Sequence, residues 1–371
     1  MKILHITTHF NIGGISNYIL TLSKAMKAAG AEVMVASSGG DLESALAKGG
    51  IRHIKVGIKT KFEFNPKVFI WALILARTVR DEKVDIIHAH SRVSQVAGAL
   101  VAKMTGVPYV TTCHGYFKKR LRGIVDTWGE KVIAISDAVK THLEADLGVR
   151  EERIALIYSG VDINRFARDY FPDEIAMMKK ALGLKDGPVI GTIGRLSAIK
   201  GQKYFIEAMK DIVAKRPDAQ ALILGSGEEE AALKKMTKSL GIEGSVHFFS
   251  SCPDTHQFLS VMDVFVFPSI KEGLGIALLE ALASRRPCVA SRIGGIENII
   301  DNGSNGLLVP VGDTGAISEE VVRLLEDEPL RKKMGELAKA LVRDRFSLDV
   351  MAGKVMELYK RVQGPGSRVQ T

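Results

Sequence analysis

Pro268-Ser-Ile-Lys-Glu-Gly-Leu-Gly-Ile-Ala-Leu-Leu-Glu-Ala-Leu-Ala283 carries a loop into a helix. Pro268 and Ser269 close the apolar strand Val264–Phe267, Gly273 and Gly275 permit a tight turn, and good helix formers come next. The start of such a helix offers free N–H groups and the positive end of its dipole, a seat for phosphate or an electronegative sugar. Glu280 stands out because its helical neighbours are small or apolar. A buried carboxylate without a partner costs on the order of several kcal/mol, so Glu280 either faces a polar ligand or reaches solvent at one edge. Glu272, on the loop, is expected on the same side.

The chain of 371 residues has room for two domains. Its 46% apolar content, 25% charged content and 36 glycines describe a soluble α/β protein. Cys113, Cys252 and Cys288 lie far apart, which suits a reducing compartment and speaks against a disulfide framework or structural zinc. The N-terminal apolar run is too short for a signal peptide, and Val68 to Ala76 is too short to span a bilayer. The expected location is the cytoplasm, including the inner face of the membrane. Net charge is +9, and residues 1–165 hold 23 Lys and Arg against 15 Asp and Glu, the remainder 28 against 27. A basic first half attracts anionic lipid or a phosphorylated acceptor, or simply keeps the protein soluble. Nucleic acid is not an expected partner, since no basic stretch is interleaved with aromatic residues.

Strand-like runs alternate with helical patterns from Lys2 to Ile157 and again from Val189 to Val309. That predicts two doubly wound, Rossmann-like domains facing a central cleft, with ligands outside the carboxyl ends of the strands. The expected limits are a first domain at 1–165, a linker at 166–187, a second domain at 188–345 and a C-terminal helix and tail at 346–371. Val355, Leu358 and Tyr359 give that last helix an apolar face with which to pack back on the first domain.

Several strand ends carry candidate chemistry. Gly13-Gly14 opens the first helix as a phosphate-approach loop would, but the dinucleotide fingerprint is missing, which disfavours a nicotinamide oxidoreductase. Gly225-Ser-Gly227 leads into Glu228-Glu229-Glu230, which repels pyrophosphate and reads as a turn. Arg195 and Lys200, on a glycine-bounded loop, either clamp a diphosphate or are merely solvated. His114 comes directly after a strand and either donates a hydrogen bond to a sugar or is a structural loop residue. His88 and His90 share a strand face, but no third ligand accompanies them in sequence, so they read as structural. No Asp-x-Asp pair is placed to hold a metal-bound nucleotide sugar.

These stretches together resemble the retaining, metal-independent nucleotide-sugar glycosyltransferases of the GT-B fold, family 4 (glycosyl transferases group 1). The resemblance runs from Met1 to about Tyr359. It is carried by Glu272 and Glu280 in the opening stretch, Ile293-Gly-Gly-Ile-Glu297, Asn305-Gly-Leu-Leu-Val-Pro and Gly194-Arg195 with Lys200-Gly201. Asp85-Ile-Ile-His-Ala-His-Ser, Ile135-Ser-Asp137 and Ser159-Gly-Val-Asp162 are also similar, with Ser159 where many members have Asn. The resemblance implies that Glu280 holds the ribose hydroxyls and that Glu272, Gly273, Leu274 and Gly275 hold the donor sugar. It implies that Arg195 and Lys200 neutralise the diphosphate, that Gly14 closes over the phosphates and that His114 stands beside the transferred sugar. The catalytic set is then His114, Glu272, Arg195 and Lys200.

The enzyme so implied is a hexosyltransferase with a UDP- or GDP-linked co-substrate, no metal, and a glycan or lipid-linked acceptor in lipopolysaccharide or other envelope synthesis. The basic first half, Lys118-Lys119-Arg120 with Arg122, and an apolar patch at Phe69, Ile70 and Trp71 suggest peripheral contact with anionic membrane. A nucleotide-sugar epimerase, a phosphorylase or a non-catalytic sugar-binding protein remain as alternatives.

Overall fold

A computed structural model describes residues 1–57, 60, 62–63, 65–117, 127–166, 168–252 and 254–364. The chain divides into two compact units, one comprising Met1–Gly160 with the segment from Leu348 onward, the other Val161–Ser347. Lys118-Lys119-Arg120 and Arg122 lie outside the described residues.

In the first unit the described strands are β1 (Lys2–Ile6), β2 (Glu32–Ser37), β3 (Arg52–Lys55), β4 (Ile86–Ala89), β5 (Tyr109–Cys113), β6 (Lys131–Ala134) and β7 (Ile154–Leu156). They pair in parallel in the order β3-β2-β1-β4-β5-β6-β7. The central strands are buried on both faces because helices cover both, as a parallel sheet requires. Ile3 joins Tyr18, Ile19 and Leu22 of helix Gly14–Ala28 and Val355, Leu358 and Tyr359 of helix Leu348–Gln363. Leu4 and Ile6, one step out of phase, join helices Pro66–Asp81 and Arg92–Thr105. Each such side chain taken fully from water contributes roughly 1.5–3 kcal/mol.

Local chemistry sets the helix limits. Pro66 occupies the first turn, and Asn65 accepts the Lys67 N–H at 3.0 Å. Ser91 and Ser94 make a reciprocal cap for Arg92–Thr105. The helix after β6 runs from Asp137 to Thr141, then widens to a π turn at His142–Asp146. His142 is held there on both ring nitrogens, by Asp146 at 2.5 Å and by the Phe117 N–H at 2.9 Å.

The second unit repeats the plan with β8 (Val189–Ile193), β9 (Gln220–Leu224), β10 (Val246–Phe249), β11 (Val264–Phe267), β12 (Cys288–Ser291) and β13 (Leu307–Val309). Their order is β10-β9-β8-β11-β12-β13, again parallel. Helices Gln202–Lys215 and Thr314–Glu326 cover one face, with Phe205, Met209, Ile317 and Val321 in its core. Residues 166–187 hold a helix at Pro172–Ala181 and belong to this unit, which closes on itself where Val161 donates to the Phe346 carbonyl at 2.9 Å.

The Tyr359 hydroxyl hydrogen-bonds Nδ1 of His88, both fully buried. Tyr359→Phe keeps the packing but leaves that nitrogen without its partner. The expected loss is about 1–3 kcal/mol, read as a lower urea midpoint with an unchanged slope.

Candidate active site

In each sheet the strand order reverses once, between β1 and β4 and between β8 and β11. Connections leave these neighbours toward opposite edges, so the loops at their carboxyl ends stand side by side with nothing crossing over them. In the second unit those loops are Gly194–Gly201, after β8, and Pro268–Gly275, after β11.

The two loops are locked together. Ile270 donates its N–H to the Ile199 carbonyl at 2.9 Å. Gly201 sits at φ +66°, and a Cβ there would lie 2.0 Å from the Pro268 carbonyl oxygen, so no other residue allows this approach. The lock brings Lys200 to Glu272: the ammonium donates to Oε2, while Oε1 accepts the Gly273 N–H at 3.1 Å. Arg195, on the more exposed side of its loop, pairs with Glu228 at 3.0 Å. The Glu228 carboxyl is held below the usual range by its own backbone N–H and by Arg195. The turn falls after Gly225-Ser226, over Gly227 to Glu230, where the Glu230 N–H meets the Gly227 carbonyl at 3.3 Å, and its glutamates do not merely repel: Glu228 is the counterion of Arg195, and the helix starts at Glu230.

Gly275, at φ +87°, turns the second loop into helix Ile276–Ala283. Glu280 lies on that helix, partly buried, and its Oε2 accepts from the Thr255 hydroxyl at 2.9 Å. Burial raises its pKa, and Thr255 and the positive charge of Arg165 act against that rise. Arg165 is bound to Asp254 at 3.0 Å. Sequence reasoning missed Thr255, Arg165 and Asp254. Nothing local marks them, since Thr255 and Glu280 meet only when β11 and its flanking helices pack.

In the first unit Gly13 and Gly14 are exposed after β1, and no side chain caps the helix they open. Its N–H groups are therefore available to an anion. His114 comes after β5, is partly exposed, and approaches His90 at 3.2 Å through Nε2. The structural reading of His88 and His90 needs one correction: a third histidine is present. The β1–β4 register sets His5 beside His88, and ligand atoms of His5, His88 and His90 lie within 4.8 Å of one another. Both nitrogens of His88 are engaged, by Tyr359 and by Thr112 at 2.7 Å. His90 is engaged by His114 and, at 2.9 Å, by His5. The cluster is thus already satisfied as a hydrogen-bonded network, apart from Nε2 of His5.

A separate cavity of about 580 Å³ lies among Tyr170, Lys179, Asp263, Arg286 and Arg331. It sits by the residues that precede β8, β11 and β12, the amino edge of the sheet, where open α/β sheets do not take their ligands.

Residues 174–341 match the family described as glycosyl transferases group 1, and residues 12–165 match glycosyltransferase family 4. The chain belongs to the GT-B glycosyltransferases. N-acetyl-alpha-D-glucosaminyl L-malate synthase of Bacillus anthracis is 28% identical to this glycosyltransferase over 371 residues, 95% of each chain. UDP-Gal:alpha-D-GlcNAc-diphosphoundecaprenol alpha-1,3-galactosyltransferase of Escherichia coli is 29% identical over 302 residues, 77% of each. The HepE protein of Anabaena, solved with UDP and glucose, shares the fold with a TM-score of 0.85 at 24% identity, covering 96% of this chain and 99% of its own.

Burial holds His5, His88 and His90 neutral in the folded glycosyltransferase, His5 down to about 3. In the unfolded chain each titrates at about pH 6.5, so below that pH the unfolded state binds more protons and stability falls. Three such groups predict a loss on the order of 3 kcal/mol between pH 6.5 and 5.5. Urea unfolding at the two pH values checks this; a flat profile would show that the cluster accepts protons while folded.

Proposed function

We propose that this glycosyltransferase moves a hexose, with retention of configuration and without a metal ion, from a UDP- or GDP-linked donor to a glycan or lipid-linked acceptor of the cell envelope. The observation that carries the reading is the locked pair of loops that sets Lys200, Glu272 and Arg195 beside a helix N-terminus at the switch point of the second sheet. Donor diphosphate replaces the carboxylates as partner of both cations. Lys200 leaves Glu272 and Arg195 leaves Glu228, and each freed carboxylate accepts from sugar or water instead.

The chemistry is set by that exchange. As the anomeric C–O bond breaks, its electron pair passes to the β-phosphate, and Arg195, Lys200 and the N–H groups of Gly273 to Gly275 stabilise the growing charge. The acceptor oxygen attacks on the face the phosphate leaves, and its proton goes to the departing phosphate oxygen, which gives retention. Glu280 receives the ribose hydroxyls, with Thr255 fixing one of its oxygens. By family resemblance Gly14 approaches the phosphates, His114 donates to the transferred sugar, and Leu274 adds to the backbone cradle.

Two relatives support the donor and acceptor classes: HepE of Anabaena was solved with UDP and glucose, and the Escherichia coli relative is named for UDP-Gal and a diphosphoundecaprenol acceptor. A nucleoside diphosphate at about a hundred times its Kd stabilises a protein by about 2.7 kcal/mol. A metal-free thermal-shift series with UDP, GDP, ADP and CMP should therefore raise Tm by roughly 5 °C for one of them. Glu280→Ala should erase most of the shift. No response at millimolar concentrations overturns the donor site; diphosphate release that needs no acceptor points instead to the epimerase.

Membrane contact rests on helix Pro66–Asp81. Phe69, Ile70, Leu73 and Ile74 are 46%, 55%, 63% and 50% exposed, one continuous apolar face. Trp71, expected in this patch, is instead core, 8% exposed and packed over Gly57. Among the described residues no helix is long and apolar enough to cross a membrane, so the proposed contact is peripheral. The protein should float with vesicles rich in phosphatidylglycerol and stay behind with phosphatidylcholine alone, and Phe69→Ser with Leu73→Ser should abolish flotation. Equal, negligible binding to both vesicle types sinks this part of the reading.

A further inference from the structure

The histidines of the first unit form a chain. Nε2 of His114 meets Nδ1 of His90 at 3.2 Å, and Nε2 of His90 meets Nδ1 of His5 at 2.9 Å. The far end of the chain, Nε2 of His5, is buried without a partner. His5 and His90 are fully buried and His114 is the partly exposed end, at the carboxyl edge of the sheet after β5. Burial keeps all three neutral.

A neutral imidazole has one N–H and one bare nitrogen, and each link needs one of each. The choice made at either end is therefore imposed on every ring between. In one register His5 keeps a buried N–H with nothing to accept it, and His114 turns a bare nitrogen outward. In the other, His5 ends on a bare Nε2 and donates from Nδ1, His90 donates from Nδ1 to Nε2 of His114, and His114 carries its proton on Nδ1. Buried N–H groups without a partner are rarer than buried acceptors without one, so the second register is favoured. The neighbours hold the rings for it: Tyr18 meets His114 edge-on at 4.7 Å, and His88, tied to Tyr359 and Thr112, lies 4.0 Å from His90.

We propose that His90, the buried link next to His114, is a positioning residue that fixes His114 as the Nδ1–H tautomer, so that it meets a sugar hydroxyl as a hydrogen-bond donor. The assignment of the sugar rests on the glycosyltransferase reading above; the tautomer does not. Bound metal is the competing use of the same rings, and it would require breaking one hydrogen bond of His88 and one of His90.

Long-range ¹H–¹⁵N correlation on ¹⁵N-histidine-labelled protein reads the tautomers directly, with His5→Asn, His90→Gln and His114→Gln assigning the rings. His114 should be the Nδ1–H form in the wild type. His90→Leu removes the donor to Nε2 of His114, so it should convert His114 to a mixture and weaken nucleotide-sugar binding about two- to tenfold, the effect of one hydrogen bond. Bare nucleoside diphosphate should bind that variant as before. His90→Gln, whose amide can still donate to His114, should restore both the tautomer and the affinity. His5→Leu leaves Nε2 of His90 as the buried end, where the same preference for a bare nitrogen holds, so His114 should stay the Nδ1–H form. A wild-type His114 protonated on Nε2, an unchanged His114 in His90→Leu, or one tightly held metal ion per chain overturns the proposal. If the tautomers behave as expected but no nucleotide sugar binds, the donor reading fails and the relay stands.

Discussion

A parallel sheet cannot run its connections in one direction only and still bury both faces, so each sheet here winds outward from its middle in both directions. That constraint leaves one gap between neighbouring strands in each unit, β1 against β4 and β8 against β11. Much of the candidate chemistry sits at these gaps. In the second unit the loops on either side of the gap bring Lys200 to Glu272, with Arg195 on the same loop. In the first, the loop after β1 leads to Gly13 and Gly14 and His90 follows β4 directly, and the same pairing sets His5 beside His88. Site and core are products of one winding rule.

The electrostatics of the second unit show how the protein itself stabilises a cationic loop. Two like charges on one short loop repel, and each has been given a carboxylate, Lys200 from the facing loop and Arg195 from the turn after β9. Neither pair is deeply buried, so exchanging it for phosphate oxygens costs little desolvation. Glu280 is treated differently. It is partly buried on an apolar helix with one oxygen fixed by Thr255, and its raised pKa records how little of its charge the protein compensates.

The two alternating series were legible because period and punctuation agreed. Val189–Ile193 and Val264–Phe267 occur where the pattern put them, as each is an apolar run bounded by glycine, proline or charge. Short helices such as Glu43–Lys48 and His256–Val261 were missed, since fewer than two turns give no readable period. Loops bearing Arg195, Lys200, Glu272 and His114 could be found by position, each coming after an apolar run. Their partners could not. Thr255, Arg165 and Asp254 are unremarkable in sequence, and His5 is one histidine in an apolar strand until β1 and β4 come into register. Several motif residues prove to be architectural: Asp85 accepts the Lys2 N–H at 2.7 Å, and Ser91 and Ser136 cap helices.

Helix Leu348–Gln363 completes the first unit although the whole second unit precedes it in the chain. The second unit is thus an insertion, its two ends stitched together by Val161 and Ser347. During synthesis the order of completion is inverted. The segment made first lacks Met351, Val355, Leu358 and Tyr359 from its core, and His88 lacks its tyrosine, until the second unit has been made. The inserted unit can close earlier, because everything it needs has already emerged. The nascent chain therefore waits with its N-terminal half open, a long exposure for an apolar parallel sheet.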